Sequence, residues 1–392
     1  MRKIKVLLVV NELLRGGGQR IVLDEAKRID QDRFDLTVVC LKDSTHFTAE
    51  NLLGEAKEAN VRVVDLGGTK GTSFREAWKL WKLIQKEKPD IVHTFLPYAG
   101  VIGRSVAWFA RVPAIITTQC NLRVAYSRFW FLLDSVTLRL ATAWIAVTEG
   151  IELSHSKTVS YFSPEAWKAG KRHFTVVAGV DLPSFDAKLA VVNRETKRSE
   201  LGLTSNDRMV IMIARLIAWK GHEDLVASMA FLPEHIHVFI VGWGPLEEQL
   251  KTQGETLGVG KRLHVLGARN DVIELLGASD AFAATHNRTP EGTIWMGANI
   301  GQMEGSAARV PAMSTAVPYI ENLIQDGVTG LLAEPNNPKD IARAIEYLCD
   351  NPVEAKVLAE HARTRVEERY SLAAMMKTYQ AIYDLSLSES SR

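Results

Sequence analysis

Two cations stand where a buried strand should end. Residues 209–221 read MVIMIARLIAWKG. Residues 210–214 form an apolar run of strand length, Arg215 follows at its carboxyl end, and Lys220 comes after a short turn. Gly221 opens a helical pattern whose Leu225, Met229 and Leu232 share one face. In an open α/β sheet, ligands bind in the crevice at the carboxyl ends of the strands. Two cations there, beside a helix start, suit an anion such as a diphosphate. An Arg and a Lys flanking a surface loop are the plain alternative, and the rest of the chain decides between them.

Glycines recur at comparable places. Gly16, Gly17 and Gly18 follow the first apolar run. Glycine there lets the backbone approach a ligand and leaves helix amides open to an anion. The dinucleotide fingerprint GxGxxG is half met: Gly16 and Gly18 fit, Ile21 takes the third place, and Asp43 stands where a ribose-binding acid would. A tight turn explains the same glycines. Gly242 and Gly244 fall between a strand and a helix pattern, with Pro245 suited to the first helical position. Asp326-Gly327 reads as a turn into a buried strand.

Positioning these residues takes strands and helices in alternation. In the first half, strands are expected at 4–10, 36–41, 61–66, 91–94, 114–118 and 144–147, with helices at 19–29 and 73–88. A mixed, charged stretch at 182–205 reads as a linker. Strands resume at 210–214, 238–241, 263–266, 281–284, 311–314 and 330–333. Helices are expected at 246–257 and 339–349, then at 353–368 and 372–385. The pattern means βαβ units and parallel sheets. The fold class is α/β, with two Rossmann-like, doubly wound domains facing each other across a cleft.

The totals agree. A chain of 392 residues, 46% apolar and 24% charged, suits two cores of ordinary size. A formal net charge of +1 gives no bulk field for nucleic acid. Three scattered cysteines, Cys40, Cys120 and Cys349, fit a reducing, cytoplasmic setting. The basic, apolar start is read as a first strand, not a signal peptide. No run reaches the roughly 18 apolar residues of a membrane span.

Further landmarks follow in order: His93 in Asp90-Ile91-Val92-His93-Thr94, then Ala178-Gly179-Val180-Asp181, Arg215, Lys220-Gly221-His222, Gly242-Trp243-Gly244, Leu266-Gly267, Glu291-Gly292, Glu304, Val310-Pro311 and Asp326-Gly327. This ordered set resembles the retaining GT-B glycosyltransferases of the large family four, which serve polysaccharide biosynthesis among other pathways. The resemblance implies an acceptor-binding domain at 1–185, a nucleotide-sugar-binding domain at 186–370, and a helix at 371–392 that crosses back to the first domain. It implies a retaining transferase moving a sugar from a nucleoside-diphosphate sugar to a glycan, glycolipid or small-molecule hydroxyl. Arg215 and Lys220 match the cations that hold the donor diphosphate, and Glu291 matches the start of the family's glutamate motif. Gly16, Gly17, Gly18, Gly242, Arg269, Asn270, Gly297, Asn299, Ile300 and Glu304 are implied donor contacts, with Glu304 on the ribose hydroxyls. His93, Asn121 and Arg123 are implied acceptor contacts; a buried structural histidine is the alternative for His93.

The chain departs from the family in two places. Counting back from Glu304 by the family's spacing reaches Met296, and twelve residues separate Glu291 from Glu304. After the fifth strand, Gln119 or Cys120 stands where many relatives carry a histidine. A metal-independent enzyme without a cofactor is expected, since no ligands have metal spacing and Asp30-Gln31-Asp32 reads as a solvated turn. Phe129, Trp130, Phe131, Leu132 and Leu133, preceded by Arg123 and Arg128, form an apolar patch. It is read either as a buried helix or as a peripheral contact with the inner face of an anionic membrane. Three rivals stay open: an epimerase or hydrolase on the same fold, a sugar-nucleotide-binding subunit without turnover, and a nicotinamide oxidoreductase.

Overall fold

The computed structural model describes residues 2–14, 17–44, 52–68, 73–121, 127–287 and 300–390. The chain divides into two compact units, Met1–Ala178 with Ala373–Arg392, and Gly179–Leu372. The first break thus falls at Ala178, ahead of residue 185.

The first unit runs β1 (Ile4–Val10), α1 (Gly17–Arg28), β2 (Phe34–Lys42), α2 (Leu53–Glu58), β3 (Arg62–Gly68), α3 (Ser73–Glu87), β4 (Ile91–Phe95) and α4 (Pro97–Phe109). It continues with β5 (Ala114–Gln119), α5 (Arg128–Thr137), β6 (Ala143–Ala146), α6 (Glu149–Ser156), α7 (Pro164–Lys168) and β7 (His173–Thr175). All seven strands are parallel, in the order β3-β2-β1-β4-β5-β6-β7. The order reverses between β1 and β4. Both faces are buried, which is why β1 reads as an apolar run from Val6 to Val10, while β4 buries His93 and Thr94 among its apolar residues. The short strand β7 is too brief to give a periodic signal.

The second unit opens with α8 (Leu182–Leu189) and α9 (Arg194–Glu200), so residues 182–205 are not the expected linker. Their charges make ion pairs that bind them to the unit. Arg194 and Arg198 share Asp280 at 2.5 and 2.9 Å, and Arg363 grips Asp186 with two hydrogen bonds of 2.7 Å. Then follow β8 (Arg208–Ile213), α10 (His222–Ser228), β9 (Ile236–Val241), α11 (Glu247–Thr256), β10 (Leu263–Gly267), α12 (Val272–Ala278) and β11 (Ala281–Ala284). The unit ends with α13 (Ile300–Ala307), β12 (Ala312–Thr315), β13 (Leu331–Ala333), α14 (Pro338–Asp350) and α15 (Pro352–Arg369). Its six parallel strands lie in the order β10-β9-β8-β11-β12-β13, reversing between β8 and β11.

The last helix, α16 (Leu372–Ser390), belongs to the first unit from Ala373 onward. Its Tyr379 and Tyr383 are fully buried there. Tyr383 donates its hydroxyl proton to Glu25, so its oxygen accepts from His93 Nδ1 at 2.5 Å. Trp167 Nε1 donates to Glu389 at 2.9 Å, and Arg33 pairs with Asp384 at 2.7 Å.

Candidate active site

In the second unit, the chemistry gathers at the carboxyl end of β8, beside the point where strand order reverses. Such a switch point is where open α/β sheets bind ligands. The turn after β8 carries Arg215 and Lys220. The guanidinium of Arg215 is exposed, and no described residue forms an ion pair with it. Lys220 is largely withdrawn from water. Burial, reinforced by the positive charge of Arg215, pushes its pKa down to about 8. Its Nζ lies 3.1 Å from Nε2 of His286, which follows β11 across the switch point.

Glycines hold this turn in place. Gly221 is left-handed at φ +71°, and a Cβ there would lie 1.6 Å from the Thr285 carbonyl oxygen. Gly242, at φ +146°, would meet the Ala214 carbonyl oxygen at 1.9 Å. Its glycine is therefore demanded by the packing of two loops, whatever ligand it also meets. Gly301 and Gly305 bring α13 against Ile213 at the end of β8 and against Phe282 in β11. Glu304 rides on this helix with its carboxyl half-buried, and burial raises its pKa to about 7. Ile300, the first residue of α13, is exposed.

The two histidines near Lys220 stay neutral. His222 is fully buried, and burial with the Lys220 charge lowers its pKa to about 4. Burial and the same charge hold His286 well below the ordinary histidine range. Nothing in the sequence marks His286 as a candidate. The usable signal is positional: it follows β11 as Lys220 follows β8, on the neighbouring strand.

Arg269 and Asn270 follow β10. The guanidinium of Arg269 is already held by Asp271 at 2.6 and 2.8 Å, which also holds the Asp271 carboxyl down at about 2. Asn270 is exposed.

In the first unit, Gly17 and Gly18 begin α1. A Cβ at Gly18 would press on Leu96 and the Cys120 sulfur at 3.0 and 3.1 Å, whereas Gly17 has open space. His93 needs a correction. It is fully buried, donates from Nδ1 to Tyr383, and accepts at Nε2 from Thr118 at 2.8 Å. Both ring nitrogens are engaged inside the unit, so His93 is a core residue and not an acceptor contact. Gln119 likewise turns inward and donates to Asp134 at 3.1 Å, within the buried Arg104–Asp134 ion pair. Burial pushes the Cys120 thiol up to about 12, the opposite direction from an activated thiolate. Asn121 follows β5 and is half-buried. Gly16, Arg123, Glu291, Gly297 and Asn299 lie outside the described residues.

Among the described residues, no group of three or more His, Cys, Asp or Glu is placed to hold a metal ion. No described helix is long and apolar enough to cross a membrane.

Comparison with known proteins bears on this arrangement. The family model "Glycosyl transferases group 1" matches residues 193–365, and "Glycosyltransferase Family 4" matches residues 15–154. The chain is 24% identical over 395 residues to UDP-Gal:alpha-D-GlcNAc-diphosphoundecaprenol alpha-1,3-galactosyltransferase of Escherichia coli, covering 97% of each chain. It is 23% identical to the capsular polysaccharide glycosyltransferase CapM of Staphylococcus aureus, over 81% of this chain and 83% of that one. Among solved structures it resembles Anabaena HepE in complex with UDP, with TM-score 0.75, 19% identity, and 96% and 99% of the two chains covered. It also resembles a glycosyltransferase of Rickettsia africae, with TM-score 0.76, 21% identity and 99% of each chain covered.

Proposed function

Because the chain belongs to the group 1 glycosyltransferases of the GT-B fold, which take a sugar from a nucleotide sugar, we propose that it moves a hexose from a nucleoside-diphosphate sugar to an acceptor hydroxyl, with retention at the anomeric carbon and without a metal ion. One observation carries the reading. Arg215 and Lys220 stand as neighbouring like charges, and no described carboxylate is paired with either. Two adjacent cations left unneutralised in a partly desolvated place are costly unless an anion arrives to balance them. The diphosphate of the donor is that anion.

In the proposed reaction, the acceptor oxygen bonds to the anomeric carbon as the bond from that carbon to the phosphate oxygen breaks. The acceptor proton passes to the departing phosphate on the same face of the sugar. Arg215 and Lys220 stabilise the negative charge that grows on the leaving nucleotide. No side chain serves as a covalent nucleophile. The second unit holds the donor and the first supplies the acceptor. The test is a panel of uridine-, guanosine- and adenosine-diphosphate sugars, with and without acceptors and with a chelator. Acceptor-dependent transfer that keeps the anomeric configuration and survives chelation supports the reading. Products formed without any acceptor would instead favour an epimerase or hydrolase.

The acceptor is proposed to be lipid-borne, presented at an anionic membrane surface. The name of the Escherichia coli relative specifies such an acceptor. On α3, Phe74, Trp78 and Trp81 are exposed at helical spacing, and on α5 so are Phe129, Leu132 and Val136. Both helices pack on α4. Arg75, Lys82 and Lys86 are exposed on α3 beside its aromatic row. The carboxylates of these helices are withdrawn: Glu76 is buried and bonded to Tyr98, Glu87 pairs with Arg62, and Asp134 with Arg104. An aromatic row flanked by exposed cations, with the Lys82 ammonium over the Trp78 ring, suits the headgroup region of an anionic bilayer.

A further inference from the structure

Among the described residues, Lys220 is held without being neutralised by a carboxylate. The segments that leave β8 and β11 are joined at three places. Thr285 Oγ1 donates to the Gly221 carbonyl at 2.7 Å, the Asn287 amide donates to the Trp219 carbonyl at 3.1 Å, and Lys220 Nζ meets His286 Nε2 at 3.1 Å. From the neighbouring strand, Thr315 Oγ1 donates to the His286 carbonyl at 2.7 Å, which fixes the backbone that carries the ring. His286 is almost wholly buried.

A lysine ammonium has three N–H donors and no acceptor. Nε2 of His286 therefore accepts, and the ring is neutral with its proton on Nδ1. A carboxylate in this place would also grip the ammonium, but it would cancel the charge. A neutral imidazole fixes one N–H and leaves the whole charge, with two N–H groups, for a ligand. Burial and the nearby ammonium keep the ring from taking a proton of its own.

We propose that His286 is a positioning residue that aims the Lys220 ammonium at the diphosphate of the donor, an inference that rests on the donor-binding reading above. His286 touches no reacting atom in this scheme and acts only through Lys220.

A double-mutant cycle tests it. Affinity is measured by calorimetry with whichever of uridine, guanosine and adenosine diphosphate the wild-type chain binds most tightly. His286→Leu removes the acceptor and is expected to weaken binding about tenfold to a hundredfold, the loss of one hydrogen bond to a charged group. His286→Gln, whose amide oxygen can accept from Lys220, is expected to keep most of the affinity. In a Lys220→Met background, His286→Leu is expected to do nothing more. Unchanged affinity in His286→Leu, or losses that add in the double variant, would overturn the proposal. If thermal melting shows that His286→Leu does not fold, His286→Gln and the shorter His286→Asn decide. Affinity kept by Gln and lost by Asn supports the proposal, and equal affinities overturn it. A wild-type chain that binds none of the three diphosphates would sink the donor reading and this inference with it. A wild-type chain that binds, matched by His286→Leu, would sink this inference alone.

Discussion

Lys220 carries its charge in surroundings that work against it, and that sets a pH dependence. With its pKa lowered to about 8, the ammonium is present below that pH and lost above it. Donor affinity should therefore fall as pH rises through about 8. Glu304 acts in the opposite sense. Its pKa is raised to about 7, so the carboxylate that would accept from the ribose hydroxyls forms only as pH rises through about 7. The expected profile of kcat/KM for the donor is a narrow bell between these values. Lys220→Arg should flatten the basic limb, because arginine stays charged throughout. A basic limb unchanged in that variant would detach it from Lys220. Arg215 and Lys220 were legible because strand pattern and charge pattern coincide there. The environment of Glu304 and the contact to His286 were not, since burial depends on residues far away in sequence. His93 shows the same limit: its partners Tyr383 and Glu25 come from α16 and α1, which no local pattern brings together.

At the scale of elements, glycine decides where the site can form. Gly221→Ala would force a side chain into the Thr285 carbonyl from a left-handed backbone. The expected cost is about 1–3 kcal/mol from the backbone strain alone, with further loss from the clash, read as a lower melting temperature and lost donor binding. Gly17→Ala, at a helix start with no neighbour within 4 Å, should change stability by no more than about 0.5 kcal/mol. Equal stability of the two variants would mean that the turn after β8 does not need its glycine. Most strands were legible to within a residue or two because parallel strands buried on both faces are plain apolar runs. The failures are instructive. Helix α9 is short and polar, and it is held by the ion pairs of Arg194 and Arg198 to Asp280 rather than by an apolar stripe, while the similarly short α8 buries only Leu182 and Phe185 and adds the Asp186–Arg363 pair. Helix α5 inverts the usual rule, with Phe129 and Leu132 turned to solvent and Asp134 turned inward to Arg104.

At the scale of the whole molecule, a net charge of +1 conceals an uneven surface. The exposed aromatic and basic row of α3 predicts co-sedimentation with phosphatidylglycerol vesicles, weaker with phosphatidylcholine and weakened by salt. Trp78→Ser with Trp81→Ser should release the protein from the vesicles and leave its melting temperature close to wild type, since both rings are already solvent-exposed. Retention of that double variant, or wild type that stays in the supernatant while self-associating, would remove the membrane from the account. The path of the chain carries one more consequence. Since α16 returns to the first unit, everything from Gly179 to Leu372 is an insertion within it. During synthesis the second unit is therefore complete while the first still lacks Tyr379 and Tyr383, and Glu25 and Nδ1 of His93 are without the Tyr383 hydroxyl. A stop codon late in the message would remove few residues yet strike the half of the protein that was made first.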